Sequence, residues 1–567
     1  MARTGAAEHS QEYDAIVVGA GWAGMYVLHR MNRLGLRTVV LERGDDVGGT
    51  WYWNGYPGAR CDVPSLVYSY SFDDALQQEW TWSERYARQP EIERYAQHVA
   101  DRFDLRRHIV FGTTVVSAVY DEATRTWTTT TSAGVEYRSG TVVMATGAFS
   151  TPVLPDLPGL ESFEGTVVHT AQWPRAGLDV DGKRAAVVGT GSSGMQAATA
   201  LARSDVAELH VVQRTPNFSV PLGNGRIDEA EVAAHKRRYA EHRAAFRRHG
   251  TIFEPILDPT STADLDDVAF EARFREAVHV RGGLEILRMF PDLLLDAAGN
   301  ERIAERLRAE IARRVRDPEV AAALTPRGYA LGSRRIVVED GYYEIFDRPN
   351  VRLVDVRRTP VEVTRDGMRT SAGTVGLDVV VAATGFDSGS GALRRIEVVG
   401  RDGVTLAQRW AAGPRTYLGL TVHGFPNLFV LAGPGSPSIR SQMMDSIEQH
   451  VEWLVELLAH MRERELHVVE CGRAAEDAWT DAVAEAAAAT LLVRDETQYV
   501  GANVPGKPRV YAAYVGGTPR YRAICDAVAA GGYPGLRFSG ASGERTSARN
   551  VAPVLEELRT PSSVGVI

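Results

Sequence analysis

The chain has 567 residues, 63 basic and 72 acidic side chains, and a formal net charge of −9. With 44% hydrophobic and 24% charged residues it resembles a soluble globular protein, which excludes a mainly disordered or fibrous chain. The acidic balance argues against a large nucleic-acid-binding face. Three distant cysteines without a CxxC motif exclude a disulfide framework and a dithiol redox centre, and they fit a cytoplasmic protein. No apolar run reaches the roughly 18 residues of a membrane span, so no membrane partner is expected.

The first ordered pattern is a βαβ unit near the N-terminus. Tyr13–Gly19 is typical of a short buried strand, an amphipathic helix follows, and Arg37–Leu41 is typical of the next strand. Between the first strand and the helix lies a GxGxxG motif formed by Gly19, Gly21 and Gly24. Such glycines allow a tight turn and let the backbone approach a pyrophosphate at the helix N-terminus. Glu42 ends the second strand, where an acid accepts hydrogen bonds from ribose hydroxyls, so this unit predicts an FAD site.

A second unit of the same kind begins at the strand Lys183–Val188 and continues to the strand Leu209–Val212. Its glycine motif is formed by Gly189, Gly191 and Gly194. The position after its second strand carries Arg214 and Thr215 in place of an acid. An arginine and a hydroxyl suit a 2′-phosphate, which an acid would repel, so this unit predicts NADPH binding.

The order of these patterns predicts an α/β fold with two Rossmann-like dinucleotide-binding domains, for FAD and NADPH, and a helical insertion in the second. Further strands are expected at Arg335–Val338, Val351–Val354, Leu377–Ala382 and Asn427–Leu431, and a long amphipathic helix at Ser446–Arg464. The predicted boundaries are 1–12 for a flexible N-terminus, 13–150 and 385–540 for the FAD domain, 151–225 and 331–384 for the NADPH domain, 226–330 for the insertion and 541–567 for a loose tail.

Two nucleotide sites in one chain imply hydride transfer from a nicotinamide to a flavin. The pattern does not identify the final electron acceptor. The cysteine spacing excludes an internal dithiol, so oxygen, a quinone or a protein partner remain. The histidines show no ligand spacing, so no metal site is predicted.

A segment between the two units narrows this choice. It follows the pattern FxGxxxHxxxWP, with Phe163, Gly165, His169, Trp173 and Pro174 at its defined positions. This pattern resembles the fingerprint of Baeyer–Villiger monooxygenases. The segments 48–62 and 501–507 resemble, respectively, a second pattern and the mobile loop of that family. The resemblance runs from Tyr13 to Gly535 and is nearest to the branch that acts on phenylacetone, steroids and other bulky ketones.

The resemblance implies an FAD-containing enzyme that uses NADPH and O2 to convert a ketone, cyclic or bulky, to an ester or lactone through a C4a-peroxyflavin and a tetrahedral peroxy adduct. The active-site arginine of the family falls on Arg335, and its acidic companion falls on Asp62. A permanently charged guanidinium can stabilise the peroxide anion and then the alkoxide. Asp62 can hold that guanidinium through a charge-assisted hydrogen bond.

The resemblance also implies binding residues. Those for FAD are Gly19, Gly21, Ala23, Gly24, Glu42, Gly49, Thr50, Trp51, Tyr52, Trp53, Asp62, Tyr68, Val115 and Met443. Those for NADP are Arg60, Cys61, Asp62, Gly189, Thr190, Gly191, Ser192, Ser193, Gly194, Gln196, Arg214, Thr215, Arg334, Arg335 and Gln498. Those for the ketone pocket are Ile439 and Arg440.

Several of these residues need a second interpretation. His169 and Trp173 are expected to pack in the segment that couples the two domains, not to touch the ketone. Two positions depart from the family. Arg175 stands where Asp or Tyr is usual, with no effect on the chemistry expected. Gln498 stands where a Trp usually packs over NADP, which predicts looser NADP retention and more hydrogen peroxide.

Two other functions compete with this one. A sulfide- or amine-oxidising flavin monooxygenase would use the same cofactors, but the fingerprint and Arg335 favour ketone oxidation. A nucleotide-binding redox sensor without catalysis is the third candidate, and both complete nucleotide signatures argue against it. The sequence does not identify the natural ketone or the oligomeric state, although a monomer is compatible with it.

Overall fold

The computed structural model describes residues 11–249, 260–437, 441–540 and 545–546. Its strands in chain order are β1 (Gln11–Val18), β2 (Thr38–Leu41), β3 (Ile109–Val110), β4 (Val115–Asp121), β5 (Thr126–Thr131), β6 (Glu136–Met144), β7 (Thr166–His169), β8 (Arg184–Val188), β9 (Glu208–Gln213), β10 (Ser219–Pro221), β11 (Val337–Glu339), β12 (Val351–Asp355), β13 (Glu362–Thr364), β14 (Gly367–Thr370), β15 (Gly373–Gly376), β16 (Val379–Ala382), β17 (Glu397–Val399), β18 (Leu428–Val430), β19 (Leu466–Cys471), β20 (Leu536–Gly540) and β21 (Arg545–Thr546).

The helices are α1 (Trp22–Arg33), α2 (Thr50–Trp53), α3 (Asp74–Glu79), α4 (Gln89–Arg102), α5 (Ser192–Ala202), α6 (Glu229–Arg237), α7 (Tyr239–His249), α8 (Asp267–Arg275), α9 (Glu285–Met289), α10 (Ala297–Arg313), α11 (Pro318–Leu324), α12 (Gly391–Arg395), α13 (Leu406–Arg409), α14 (Met443–Glu463), α15 (Arg473–Ala488) and α16 (Thr518–Ala530). A π-helix, Glu276–Arg281, continues α8. Within these described ranges, no helix combines the length and apolar character needed to cross a membrane.

The first sheet has eight strands in the order β17-β4-β5-β6-β1-β2-β3, with β18 paired to β6. Strand β1 is parallel to β2 and β6 and fully buried from Ala15 to Val17, as its continuous apolar run predicts. Strand β6 pairs with β1 along one edge. Along its other edge, its first half pairs with antiparallel β5 and its last three residues pair with β18. The βαβ unit β1-α1-β2 thus lies in the middle of the sheet.

The second sheet has five strands in the order β12-β9-β8-β16-β7, all of them parallel. Strands β8 and β9 with helix α5 form the second predicted βαβ unit. Strands β7 and β16 lie side by side although they are far apart in sequence. Val168 pairs with Val381, so the fingerprint segment becomes part of this sheet. The second sheet is wholly parallel, whereas the first is mixed, because β5 pairs antiparallel with both β4 and β6.

The region predicted as a helical insertion is helical in its described parts, with α6 to α11 and the π-helix; residues 250–259 lie outside the described residues. The strand expected at Arg335–Val338 begins only at Val337. The carbonyl of Arg335 accepts a hydrogen bond from the Asn217 side chain instead of joining a strand ladder, so Arg335 lies in the turn before β11.

Two other expectations also differ from the structure. The long helix predicted from Ser446 begins at Met443, because the Gln442 side chain accepts the Asp445 amide and caps an earlier first turn. The tail predicted to be loose contributes β21, which pairs with β20 through Phe538 and Ser539. The rest of that tail lies outside the described residues.

Candidate active site

The first glycine motif forms a close-packed turn at the carboxyl end of β1. A Cβ added to Gly24 would lie 1.9 Å from the Gly19 carbonyl oxygen, so α1 can pack on the turn only with glycine there. Gly21 precedes α1 and offers no side chain to cap its first amides. A Cβ on Gly49 would lie 2.8 Å from the Gly21 Cα, which brings a second backbone against the turn. These uncapped amides and the absence of side chains fit a pyrophosphate group.

Glu42 follows β2 directly beside this turn, since Val18 of β1 pairs with Leu41. Its carboxylate accepts two backbone hydrogen bonds of 2.6 Å, from the amides of Ala20 and Gly44, and only 5% of the residue is exposed. A carboxylate has about four lone-pair sites, so acceptor capacity for a ribose remains. The backbone thus fixes the orientation of Glu42.

Aromatic side chains line the same side of the first sheet. The Trp51 indole donates to the Tyr68 hydroxyl at 3.0 Å, and both side chains pack against the same core cluster as Ala23 and Met443. Burial raises the pKa of Tyr68, so its hydroxyl stays protonated. The apolar wall with polar ends that results suits a flat heteroaromatic ring.

Other residues predicted for FAD lie on helix α2 and strand β4. Thr50 begins α2 and is exposed, and Tyr52 and Trp53 complete that helix. Arg43 stacks on the Trp53 ring, with its guanidinium carbon 4.3 Å from the ring centroid. Val115 begins β4 and is buried.

The second glycine motif repeats the geometry of the first at the end of β8. A Cβ on Gly194 would lie 2.0 Å from the Gly189 carbonyl oxygen. Gly191 precedes α5 without a side-chain cap, and a Cβ there would meet no atom within 4 Å. Open space therefore faces the first amides of α5, which include those of Ser192 and Ser193. This space and these amides fit a second dinucleotide.

The residues predicted to select the phosphate lie at the same edge. Arg214 follows β9, is exposed, and makes no hydrogen bond or ion pair with another described residue. The Thr190 hydroxyl donates to the Thr215 carbonyl at 2.9 Å, which joins the ends of β8 and β9. Arg334 stacks on Tyr329, 5.1 Å from its ring centroid, and donates to the Glu496 carbonyl.

Arg335 and Asp62 form a bidentate ion pair across 273 residues of sequence. The guanidinium donates from Nε to Oδ2 at 2.5 Å and from Nη2 to Oδ1 at 2.7 Å. Burial alone would lower the pKa of Arg335, but the charge and hydrogen bonds of Asp62 outweigh it and raise that pKa above its ordinary value. The Arg335 side chain is 35% exposed, so one edge of a permanent cation stays accessible.

The neighbours of Asp62 on the same loop have other partners. Burial, and then the charge of Asp62, raise the pKa of the Cys61 thiol, which therefore stays neutral and unreactive. The Arg60 guanidinium forms an ion pair with Glu84 at 3.3 Å. The Arg60 carbonyl accepts a hydrogen bond from the Gln196 side chain of α5. The predicted NADP role of these two side chains stays a prediction.

Tyr56 connects the loop 56–60 to the start of α5, and no role for it was expected from the sequence. Its hydroxyl lies 3.2 Å from Ser193 Oγ and donates to Gln196 Oε1 at 2.7 Å. The Gln196 amide donates in turn to the Arg60 carbonyl at 3.2 Å, and a Cβ on Gly58 would lie 2.6 Å from the Gln196 carbonyl oxygen. The loop 56–60 is thus bound to α5. The available signal was that Tyr56 lies in the segment 48–62, together with Asp62, and that this segment resembles the second pattern of the family.

The fingerprint segment is structural in this arrangement. His169 ends β7, is 2% exposed, and its Nδ1 accepts the Ala171 amide at 3.0 Å. Trp173 packs in the core of the second sheet. Gly165 admits no side chain, because a Cβ would lie 2.4 Å from the Phe163 ring. Pro174 is exposed.

Arg175, directly after the fingerprint, contacts Tyr52 of helix α2. It pairs with Glu93 at 2.7 Å and stacks on Tyr52 with 4.6 Å between its guanidinium carbon and the ring centroid. Gln89 donates to both Glu93 and the Trp51 carbonyl, which extends this contact to α2. No sequence pattern predicted this network.

The segment 496–513 contributes residues close to Gly385 and Arg335. A 3-10 turn, Gln498–Val500, places Gln498 beside Gly385, and Tyr499 lies close enough to contribute to the raised pKa of Arg335. Lys507 anchors the segment through a 2.5 Å ion pair with Asp387. Ile439 and Arg440, predicted for the ketone pocket, lie outside the described residues. No group of three or more His, Cys, Asp or Glu in the described ranges is arranged to hold a metal ion.

Comparison with known proteins identifies the family. Residues 16–222 match the family model described as pyridine nucleotide-disulphide oxidoreductase. The chain is 40% identical to the acetone monooxygenase (methyl acetate-forming) of Gordonia sp. (strain TY-5), with 93% of this chain and 99% of that protein covered. It is 37% identical to a Baeyer–Villiger monooxygenase of Pseudooceanicola batsensis, with 93% and 96% covered. The solved structure of an oxidized steroid monooxygenase bound to NADP is 44% identical and has a TM-score of 0.88. The match covers 93% of this chain and 99% of that one. The chain therefore belongs to the Baeyer–Villiger monooxygenases, which are NADPH-dependent flavoprotein enzymes, as the sequence resemblance predicted.

Proposed function

We propose that this enzyme converts a cyclic or bulky ketone to a lactone or ester, with the reaction centre at the Arg335–Asp62 pair. The observation that carries the proposal is the bidentate geometry of this pair, which holds the guanidinium in one orientation and leaves the Arg335 side chain 35% exposed. Bound FAD would activate oxygen with electrons supplied by NADPH. The side chains then have to stabilise negative charge and orient the ketone.

Arg335 is suited to that charge. Its raised pKa keeps it protonated throughout the pH range of a working enzyme, so it cannot quench an anion by giving up its proton. The two hydrogen bonds that Arg335 donates to Asp62 fix the plane of the guanidinium before the reaction begins. A preorganised donor directed at developing oxyanion charge contributes about 2.7–4 kcal/mol in other enzymes. We assign Arg335 as the catalytic residue and Asp62 as the residue that positions it.

The cofactor sites follow from the two cradles. FAD would be held by the first glycine motif, Glu42 and the aromatic wall, and NADPH by the second glycine motif with Arg214 and Thr215. On this division we assign residues 13–150 and 385–540 to FAD binding and residues 151–225 and 331–384 to NADPH binding. Three buried free cysteines support the proposed cytoplasmic location.

The test separates cofactor reduction from oxygen insertion. In Arg335→Ala, NADPH should still bleach the flavin absorbance, whereas ester formation from a ketone panel, measured by gas chromatography, should fall by at least about 100-fold. Arg358→Ala, a matched change at a 63% exposed arginine in the turn after β12, should retain product formation. Normal ester yield from Arg335→Ala would contradict the assignment.

The same experiment addresses the alternative of sulfide or amine oxidation. That chemistry transfers oxygen to a nucleophile and needs no stabilised oxyanion on the substrate. Sulfide oxidation should therefore depend less on Arg335 than ester formation does. Relatives such as the methyl acetate-forming enzyme favour the ketone reaction.

A further inference from the structure

The segment 62–69 is held by a second guanidinium besides that of Arg335. Asp62, the partner of Arg335, begins this segment, and Tyr68 of the aromatic wall lies near its end. The Tyr68 amide donates to the Pro64 carbonyl at 3.1 Å, which closes a turn between the two. Residues 62–69 form turns and bends rather than a helix or a strand, so contacts from other parts of the chain fix their conformation.

Arg243 of helix α7, in the helical insertion, binds the far end of this segment. Its Nη1 donates to the Val67 carbonyl at 3.0 Å. Its Nη2 donates to the Ser69 carbonyl at 3.2 Å and to the Ser69 hydroxyl at 2.8 Å. Val67 and Ser69 are buried and stand on either side of Tyr68 in the sequence. One planar guanidinium thus fixes the backbone before and after that side chain.

The Val67 carbonyl has a second donor, which comes from the start of helix α14. Gln442 donates to it from Nε2 at 2.6 Å, while the Gln442 Oε1 accepts the Asp445 amide and caps the helix. Both lone pairs of the carbonyl oxygen are then used. This one oxygen therefore joins α7 to the N-terminus of α14, where Met443 is predicted to contact FAD.

The opposite end of the Tyr68 side chain reaches the aromatic wall. Its hydroxyl accepts the Trp51 indole at 3.0 Å, and the two rings meet edge to face with 5.9 Å between their centroids. The hydrogen bonds of Arg243 end at Val67 and Ser69. Any influence of Arg243 on the wall must therefore pass through the loop and Tyr68.

We propose that Arg243 is a positioning residue for the flavin. It fixes the loop that carries Tyr68 and thereby sets the packing of Tyr68 and Trp51 against the cofactor ring. This inference gives the helical insertion a role in the FAD site. It rests on the proposed function and distinguishes two guanidinium groups, since Arg335 acts at the reaction centre and Arg243 acts through the loop.

The first test measures FAD binding, which does not require turnover. Arg243→Met removes the donors and keeps an apolar stem. Titration of FAD into the full-length apoprotein should show an affinity about tenfold lower, because two buried carbonyls lose a charged donor. The visible circular dichroism of the bound flavin should also change, since it reports the groups packed around the ring. Arg243→Lys should recover part of the affinity.

The matched control is Arg248→Met, because Arg248 lies on the same helix and is exposed. Its FAD affinity and flavin spectrum should equal those of the wild type. Ser69→Ala removes only one of the three acceptors and replaces Arg243→Met if that variant does not fold. It should weaken FAD binding about threefold. Wild-type affinity in Arg243→Met or in Ser69→Ala, or an equal loss in Arg248→Met, would overturn the proposal.

A double variant separates positioning from a general loss of stability. Tyr68→Leu removes the side chain through which Arg243 is proposed to act. In that background, Arg243→Met should weaken FAD binding by no more than about threefold, because the effects of coupled residues are not additive. A full tenfold loss in both backgrounds would overturn the proposal. If no ketone gives an ester, the proposed function fails, whereas these binding measurements still decide the role of Arg243.

Discussion

The two glycine motifs have nearly the same backbone, but the charged residue beside each is held differently. Glu42, beside the first motif, is buried and receives two backbone amides at 2.6 Å. Arg214, beside the second, is exposed and has no partner among the described residues. The first residue is therefore part of the folded structure before any ligand arrives, whereas the second is available to a ligand. This difference suits one cofactor that stays bound and another that exchanges.

The largest expected effect tests the shared part of the two motifs. Gly24→Ala and Gly194→Ala each place a methyl group about 2 Å from a backbone oxygen, at 1.9 and 2.0 Å. Both should destabilise the protein by about 1–3 kcal/mol or more and abolish binding at the affected motif. Chemical denaturation measures the loss of stability. The flavin content of the purified protein measures binding at the first motif, and NADPH titration measures binding at the second.

Gly191→Ala is the control for steric damage to the fold. A methyl group there meets no protein atom within 4 Å, so the free energy of unfolding should stay close to that of the wild type. The KM for NADPH should nevertheless rise, since the open space is where the phosphates are expected. A large loss of stability in Gly191→Ala would show that the space is not available to a ligand.

The next effect separates the two charged residues. Glu42→Gln turns an amide NH2 toward one of two backbone donors, which should cost about 1–3 kcal/mol of stability even in the apoprotein. Arg214→Gln should leave the apoprotein's stability unchanged within about 0.5 kcal/mol. Thermal unfolding without cofactors gives both values, and equal losses would contradict the comparison.

Arg214→Gln should act on nucleotide selection instead. Its KM for NADPH should rise about tenfold, equivalent to about 1.4 kcal/mol, while the KM for NADH changes little. Steady-state kinetics with the two nucleotides gives the ratio. If both KM values rise equally, Arg214 does not recognise the 2′-phosphate.

The smallest effect concerns the contact of Tyr56 with helix α5. Tyr56→Phe removes hydrogen bonds to Ser193 and Gln196 and should cost about 0.5–1.5 kcal/mol. Burial raises the pKa of Tyr56 to about 12, so this hydroxyl stays protonated and its loss should matter equally at pH 6 and pH 9. A stability loss that varies between these two pH values would argue against this description.

Local patterns in the sequence predicted both βαβ units, because a buried strand, a glycine turn and an amphipathic helix each leave a signal within a few residues. The strand β5 was not predicted. Its sequence, Thr126–Thr131, is mostly threonine, and its burial depends on pairing with β4 and β6. Tertiary contacts decide such a segment more than its own composition does.

The active site shows the same limit. No periodicity relates Asp62 to Arg335, and only the family resemblance placed them together. The strand expected at Arg335 was wrong by two residues because the Asn217 side chain takes the Arg335 carbonyl. Arg175 was dismissed on sequence grounds, yet it pairs with Glu93 and stacks on Tyr52. Each of these features depends on residues more than 80 positions apart.

The loop 56–60 has a consequence for protein engineering. It belongs in sequence to the predicted FAD domain, but Tyr56 and Gly58 fit against α5, which follows the second glycine motif. A chimera that imports residues 183–215 from a relative to change nucleotide preference would therefore receive a helix without its matching loop. Exchanging 56–60 together with that block should preserve the junction, so the interchangeable unit of this enzyme is discontinuous in sequence.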